Sequence, residues 1–170
     1  MVKIVKQYKE DEIMAKDNNI LLARIDNRLI HGQIVCLWAG AVGANLIVVA
    51  DDETAENEIE QSVMKMAASS LGYDTRFFTI QKTIDIIDKA SDDQHILLIC
   101  QTPKDLRRVI EGGVKIKEVD IGNMYYDEGE KKLTDKVSVS KEDLKDLNYI
   151  KKHVDKIYIQ DTPDSPKEEF

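Results

Sequence analysis

The sequence predicts an α/β fold: a single domain with a doubly wound, mostly parallel sheet and helices on both of its faces. Three observations carry this expectation. Short, almost wholly apolar runs recur along the chain, as parallel strands covered on both faces require. Stretches with helical spacing separate those runs, as parallel pairing demands, because each crossover must return the chain to the same end of the sheet. A length of 170 residues supports one sizeable core and is short for two.

In order along the chain, residues 1–18 are polar and charged, without a sustained apolar pattern, and read as an N-terminal extension. The domain proper is expected over residues 19–160. Its first strand is ILLARI at 20–25, followed by a helix over 33–42 and the strand LIVVA at 46–50. A helix over 55–69, a strand RFFTI at 76–80 and a helix over 82–90 continue the alternation. The strand ILLIC at 96–100 precedes a helix over 104–111, opened by Thr102-Pro103 and closed by Gly112-Gly113. A strand at 119–121 follows. KKLTDKVSVS at 131–140 has the alternation of a more exposed strand, Ser140 is placed to cap a helix over 141–153, and KIYIQ at 156–160 is the last strand. The tail, residues 161–170, holds two of the three prolines and a run of charge, and is expected to fray. There is no internal repeat and no low-complexity tract.

Composition excludes several function classes. A net charge of -8 and a pI near 5.0 argue against nucleic acid as a partner, since such binding rests on neutralising phosphates. No apolar run approaches the roughly 20 residues of a membrane helix, and the first residues lack the apolar stretch of a secretory signal, so a cytoplasmic protein is expected. Cys36 and Cys100 stand in apolar surroundings without CxxC spacing and read as reduced, buried thiols. Neither GxGxxG nor GxxxxGK[ST] occurs, and the three histidines lack the close spacing of metal ligands, so no cofactor and no metal are expected.

The informative segment is Arg24-Ile25-Asp26-Asn27-Arg28-Leu29-Ile30-His31-Gly32-Gln33, which leaves the first strand and enters the first helix. In an open α/β sheet the carboxyl ends of the strands are where ligands bind. A histidine there can act as a nucleophile through its free nitrogen lone pair, while a carboxylate such as Asp26 holds the other ring N–H. A phosphoryl group on the ring would bring about two negative charges. Arg28 and Arg24, and the helix-start N–H groups near Gly32 and Gln33, could receive them. Ile121-Gly122-Asn123-Met124 after a later strand reads as a tight turn, and the N–H groups of Gly122 and Asn123 could meet the same phosphate. One of Asp51, Asp52 and Glu53 could face the crevice, although capping the next helix is the commoner duty there. The bland alternative for His31 is a helix cap or a satisfied buried ring. His95, opening a strand, and His153, ending a helix, read as structural.

The run RIDNRLIHGQIVCLW resembles the RIDxRLIHGQV motif of the IIB subunits of the mannose/fructose/sorbose family of the bacterial phosphoenolpyruvate:sugar phosphotransferase system. Further similarity lies at IVVADDE, at TPKDLRRVIEGGVKIKEVDIGNM and at VSVSKEDL, in the expected order. The resemblance implies a phosphoryl carrier. A IIA protein would donate to Nδ1 of His31, and the group would pass to the sugar as the membrane components IIC and IID import it. By position, Arg28 would stabilise the phosphate and Asp26 would order the loop and the imidazole; no cofactor is implied. Such a protein would be cytoplasmic and peripherally associated with its transporter. Asn27 stands where many members have a second aspartate, and AASSLGY at 67–73 lacks a proline-bearing turn often found there. Mannose, fructose, sorbose, galactosamine and N-acetylgalactosamine all stay open as the sugar, and an acidic chain without heptads leaves the oligomeric state open.

Two other classes compete. A histidine-phosphatase-like hydrolase would need Arg-His-Gly and a second catalytic histidine, whereas Ile30 precedes His31. A partner-binding module without chemistry is the other. A carrier that docks on two partners is expected to expose His31 within a ring of apolar side chains such as Leu29 or Met124, with arginine in the rim.

Overall fold

Strand β1 (Ile20–Asp26) lies at the middle of a seven-stranded sheet whose order is β3-β2-β4-β1-β5-β8-β9. The computed structural model describes residues 18–170, so the expected extension, apart from Asn18, lies outside the described residues. The remaining strands of this sheet are β2 (Leu46–Ala50), β3 (Asp74–Phe78), β4 (Ile96–Cys100), β5 (Glu118–Asn123), β8 (Lys156–Ile159) and β9 (Glu168–Glu169). All neighbours pair in parallel except β8 and β9. The parallel strands are joined by α1 (Gly32–Val42), α2 (Glu58–Ser69), α3 (Ile80–Ile86), α4 (Pro103–Glu111) and α5 (Lys141–Lys151).

The period of two along each strand divides the core into two layers. Leu22, Ile47, Val49, Leu97 and Ile99 pack toward Val35, Trp38 and Ala39 of α1 and Met64 and Ala68 of α2. The alternate residues, among them Ala23, Ile25, Val48, Leu98 and Cys100, pack with Ile80 of α3, Leu106 and Val109 of α4, and Leu147 and Ile150 of α5. Arg24 and Asp26 share the parity of Leu22 and so belong to the α1 face. Strand β1 pairs with β4 on one side and β5 on the other, and the chain leaves β1 through α1 on one face but leaves β4 through α4 on the opposite face. The carboxyl end of β1 is therefore the switch point at which a ligand crevice opens.

Helix starts follow the side-chain chemistry. Thr102 accepts from the Asp105 N–H at 3.2 Å just before Pro103, and Ser140 and Asp143 form a reciprocal capping box over the first turn of α5. Several boundaries differ from expectation. The strand expected at 76–80 starts at Asp74 and ends at Phe78, because Thr79 caps α3 through the Lys82 N–H at 3.1 Å and draws Ile80 into the helix. The helix expected over 55–69 begins as a 3₁₀ turn, Thr54–Glu56, and restarts at Glu58 after Asn57 caps it. KKLTDKVSVS is a hairpin of β6 (Lys131–Lys132) and β7 (Ser138–Val139), with Val137 and Val139 buried.

The tail does not fray. Beyond β8 the Gln160 side-chain amide donates to the carbonyls of Pro163 and Ser165 at 3.2 and 2.7 Å, and residues 168–169 turn back as β9 against β8. Phe170 packs against the core. Local composition pointed to disorder; long-range pairing with the sheet edge overrides it.

Candidate active site

Asp26 ends β1, and the chain turns at once: the Leu29 N–H returns to the Asp26 carbonyl at 3.0 Å. Leu29 takes φ +57, a left-handed conformation costing roughly 1–2 kcal/mol outside glycine. Its side chain is 1% exposed within the α1-side core, and that burial, worth about 1.5–3 kcal/mol, holds the strained turn. The turn lifts Arg28 outward and delivers His31 to the N-cap position of α1. His31 makes no side-chain cap bond, so its ring turns back toward Asp26. Gly32 follows at φ +43, a conformation that spares a Cβ penalty, with open space beside it.

Four groups converge on the buried Asp26 carboxylate. Oδ1 accepts from the Arg28 backbone N–H at 3.0 Å and from Arg28 Nε at 3.3 Å. Oδ2 lies 3.2 Å from His31 Nε2, 3.3 Å from an Arg24 guanidinium N–H and 3.5 Å from one of Arg28. Burial alone would raise the Asp26 pKa, but the His31 bond, the Arg24 charge and the Arg28 bonds outweigh it and hold the carboxyl below its usual range. An ionised Asp26 can only accept, so in neutral His31 Nε2 carries the proton and Nδ1 keeps the lone pair. The His31 side chain is 21% exposed and that of Arg28 24%, so both reach solvent at the carboxyl end of the sheet.

Arg24 is not available to a ligand, in contrast to the expectation from its sequence position. It is fully buried, it ion-pairs with both Asp26 and Asp120, and it donates to the carbonyls of Gln160 and Asp161 at 3.0 and 3.2 Å. Its guanidinium lies 4.9 Å from the Trp38 ring, whose own N–H donates to the Asp161 carbonyl at 3.1 Å. Gly122 lies against that guanidinium, and any Cβ there would overlap it. The expected turn at Gly122 and Asn123 is instead strand: Ile121 pairs with Ile25 and Asn123 with Asp26, leaving Gly122 as the extra residue of a bulge in β5. Asn123 is buried, its carbonyl accepts the Asn27 N–H at 3.0 Å, and its side-chain nitrogen has no hydrogen-bond partner. The side chain of Gln33 lies outside the described residues; its backbone is in the first turn of α1.

Leu29 and Met124, the apolar side chains expected to ring His31, are both buried and do not form a rim. Exposed apolar surface begins one residue later, at Tyr125 and Tyr126, after Met124 bridges to Val137. Sequence reasoning also missed Asn27 as a staple. Its amide donates to the Gln101 carbonyl and accepts from the Tyr125 N–H, each at 2.7 Å, joining the ends of β1, β4 and β5. Asp120 was missed too, although an acid inside the apolar run of β5 was the available signal.

Asp51 serves the turn that follows β2, close to the capping duty expected there, whereas Asp52 ties together more distant elements. Asp51 accepts from the Thr54 N–H at 2.8 Å, and Asp52 accepts from the Ile80 N–H at 2.9 Å and from Arg108 at 2.9 Å. Cys36 and Cys100 are free and buried, and burial pushes both thiols up. His95 is exposed, and His153 stacks on Tyr149 with its Nδ1 2.7 Å from the Tyr149 carbonyl. Among the described residues no group of three or more His, Cys, Asp or Glu could hold a metal ion.

Residues 20–170 match the family model described as the PTS system sorbose subfamily IIB component. The chain is 48% identical over 152 residues to the N-acetylgalactosamine-specific phosphotransferase enzyme IIB component 1 of Escherichia coli (strain K12), covering 89% of this chain and 96% of the relative. The crystal structure of the PTS system N-acetylgalactosamine-specific IIB component 1 from Escherichia coli superposes with a TM-score of 0.87 over 89% of this chain and 99% of the other. That of the IIBSor domain of the sorbose permease from Klebsiella pneumoniae, 27% identical, covers 87% of this chain and 91% of the other and superposes with a TM-score of 0.78. With the motif, the parallel sheet and the whole described length in agreement, the chain belongs to the sorbose-subfamily IIB components of the phosphotransferase system, phosphotransferases that take phosphate from IIA and pass it to the sugar.

Proposed function

We propose that His31 is the phosphoryl acceptor and that Nδ1 is the atom that carries the group. The observation that carries this reading is the 3.2 Å approach of His31 Nε2 to Asp26 Oδ2, because a ring held by one nitrogen attacks with the other. In the transfer, the P–N bond to the donor's phosphohistidine breaks as a P–N bond to Nδ1 forms, and the Nε2 proton stays on the ring, held by Asp26. The transition state is loose, so positioning and charge neutralisation supply most of the catalysis. Arg28, which reaches solvent beside Asp26, swings to the phosphate. The backbone N–H groups at the start of α1, from Gly32 onward, face the same charge with the positive end of the helix dipole.

The donor is a IIA protein and the acceptor a sugar in transit through IIC and IID, with this chain at the cytoplasmic face of the membrane. Among the described residues no helix is long and apolar enough to cross a membrane, which is consistent with peripheral attachment. Similarity to two Escherichia coli relatives named as specific for N-acetylgalactosamine, 48% and 43% identical, supports that amino sugar as the substrate.

Phosphorylation of the purified chain by phosphoenolpyruvate, the general phosphotransferase proteins and a cognate IIA tests the reading. An acid-labile mass increase is expected in the wild type and not in His31→Ala, with discharge to N-acetylgalactosamine in the presence of membranes holding IIC and IID. A label that persists in His31→Ala would remove His31 as the acceptor.

A further inference from the structure

The site described above uses Asp26, but the charge network behind Asp26 runs deeper into the sheet. Arg24 stands between two acids of the core: one arm of its guanidinium meets Asp26 and the other meets Asp120, and all three side chains are fully buried. The fork is fixed in place. The Trp38 ring lies close to the guanidinium, Gly122 leaves it room, and the carbonyls of Gln160 and Asp161 take its remaining N–H groups on those arms. Its Nε has no partner. A guanidinium held in this way cannot move toward Asp26 without leaving Asp120, so the two acids divide one positive charge.

We propose that Asp120 is a positioning residue for His31: by drawing the Arg24 charge toward β5, it leaves Asp26 basic enough to hold the Nε2 proton and aim the ring. The route is His31 to Asp26 to Arg24 to Asp120, each neighbour in direct contact with the next. Were Asp120 neutral, Arg24 would serve Asp26 alone, Asp26 would accept more weakly from His31, and the ring would lose both orientation and electron density.

The groups that face Asp120 are few. Arg24 and Asp26 come from β1, and the Gln160 N–H beyond β8 donates to Oδ1 at 2.9 Å. Tyr158 of β8 is held protonated by burial, by its bond to Glu118 and by the Asp120 charge. Burial pushes the Asp120 carboxyl up to about 7 against the pull of Arg24. Asp120 therefore changes charge near neutral pH, and the hold on His31 loosens as the pH falls through that range.

This inference rests on His31 as the nucleophile, and its test reads the ring itself, so its failure and the failure of that reading are distinguishable. The His31 ring is titrated by NMR in the full chain, wild type against Asp120→Asn, with the exposed Asp127→Asn as control. Near pH 8, where Asp120 is ionised, the His31 ring-nitrogen shifts are expected to move away from those of the Nε2–H tautomer in Asp120→Asn and not in the control. The rate of phosphoryl transfer from IIA near pH 8 is expected to fall about tenfold, in kcat and not in KM for the donor. A folded Asp120→Asn with unchanged ring-nitrogen shifts and an unchanged rate overturns the proposal. If that variant does not fold, the wild type decides. There the His31 curve is expected to depart from a single-proton titration where the Asp120 carboxyl carbon titrates. A single-proton curve overturns the proposal.

Discussion

His31 Nε2 and Asp26 Oδ2 lie 3.2 Å apart, across the turn that joins the central strand to the first helix. The two residues are five apart in sequence, and the turn between them is closed by a left-handed Leu29 whose side chain is locked in the core. The acid is buried and the histidine reaches solvent, so the pair links the interior of the sheet to the surface a partner must meet.

Replacing Asp26 tests that link. Asp26→Ala frees the ring and leaves Arg24 and Arg28 without their shared acceptor. The rate of phosphorylation by IIA is expected to fall about a hundredfold, as for other misplaced nucleophiles. Circular dichroism and a melting curve taken beside the rate separate this from unfolding. A variant that folds and is phosphorylated at the wild-type rate would remove Asp26 from the mechanism.

Gly122 is fixed by the guanidinium it faces. In Gly122→Ala the added Cβ would overlap Arg24, so either the bulge or the buried ion pairs must yield. A loss of about 3 kcal/mol or more in urea unfolding is expected, from overpacking together with a disturbed buried charge pair. Gly113→Ala has open space for its methyl group and only its φ of +97 against it, and serves as the milder comparison.

Stability should depend on pH through Asp120. Its folded pKa, pushed up to about 7 by burial, lies above the unfolded value, so between the two the folded state holds the extra proton. Its contribution is fully present below the unfolded value and is lost as the pH rises through the folded one. Asp26, held low, acts in the opposite sense: its contribution is present above the unfolded value and is lost as the pH falls through the folded one. Melting curves from about pH 5 to pH 8 should therefore show wild type losing stability relative to Asp120→Asn by more than about 4 °C. Parallel pH profiles for the two proteins would contradict the assignment.

The last ten residues should matter more than their composition suggests. Deleting residues 161–170 removes the Asp161 carbonyl from Arg24 and Trp38 and strips β9 from the sheet edge. Two buried donors are left unsatisfied, at about 1–3 kcal/mol each, so a clear fall in melting temperature is expected. An unchanged melting temperature would mean that water replaces the lost carbonyl without cost.

The sequence by itself determined the fold class, because the runs at 46–50 and 96–100 are wholly apolar, as parallel strands covered on both faces require, and helical spacing fills the stretches between the runs. It determined the place of His31 as well, since a strand end running directly into a helix start is a local event that local residues specify. Caps at Thr102 and Ser140 were legible for the same reason. What only the tertiary structure decided is how the charges divide. Arg24 looked like a ligand for phosphate because it lies seven residues from His31, but parity along β1 turns it into the α1-side core, where Asp120, 96 residues away, claims it. The tail and the Asn27 staple escaped notice for a related reason: their partners, at Arg24 and Trp38 and at Gln101 and Tyr125, come from distant strands. Periodicity and capping are short-range and are written in the chain, whereas a buried charge finds its partner only when the sheet brings the strands into register.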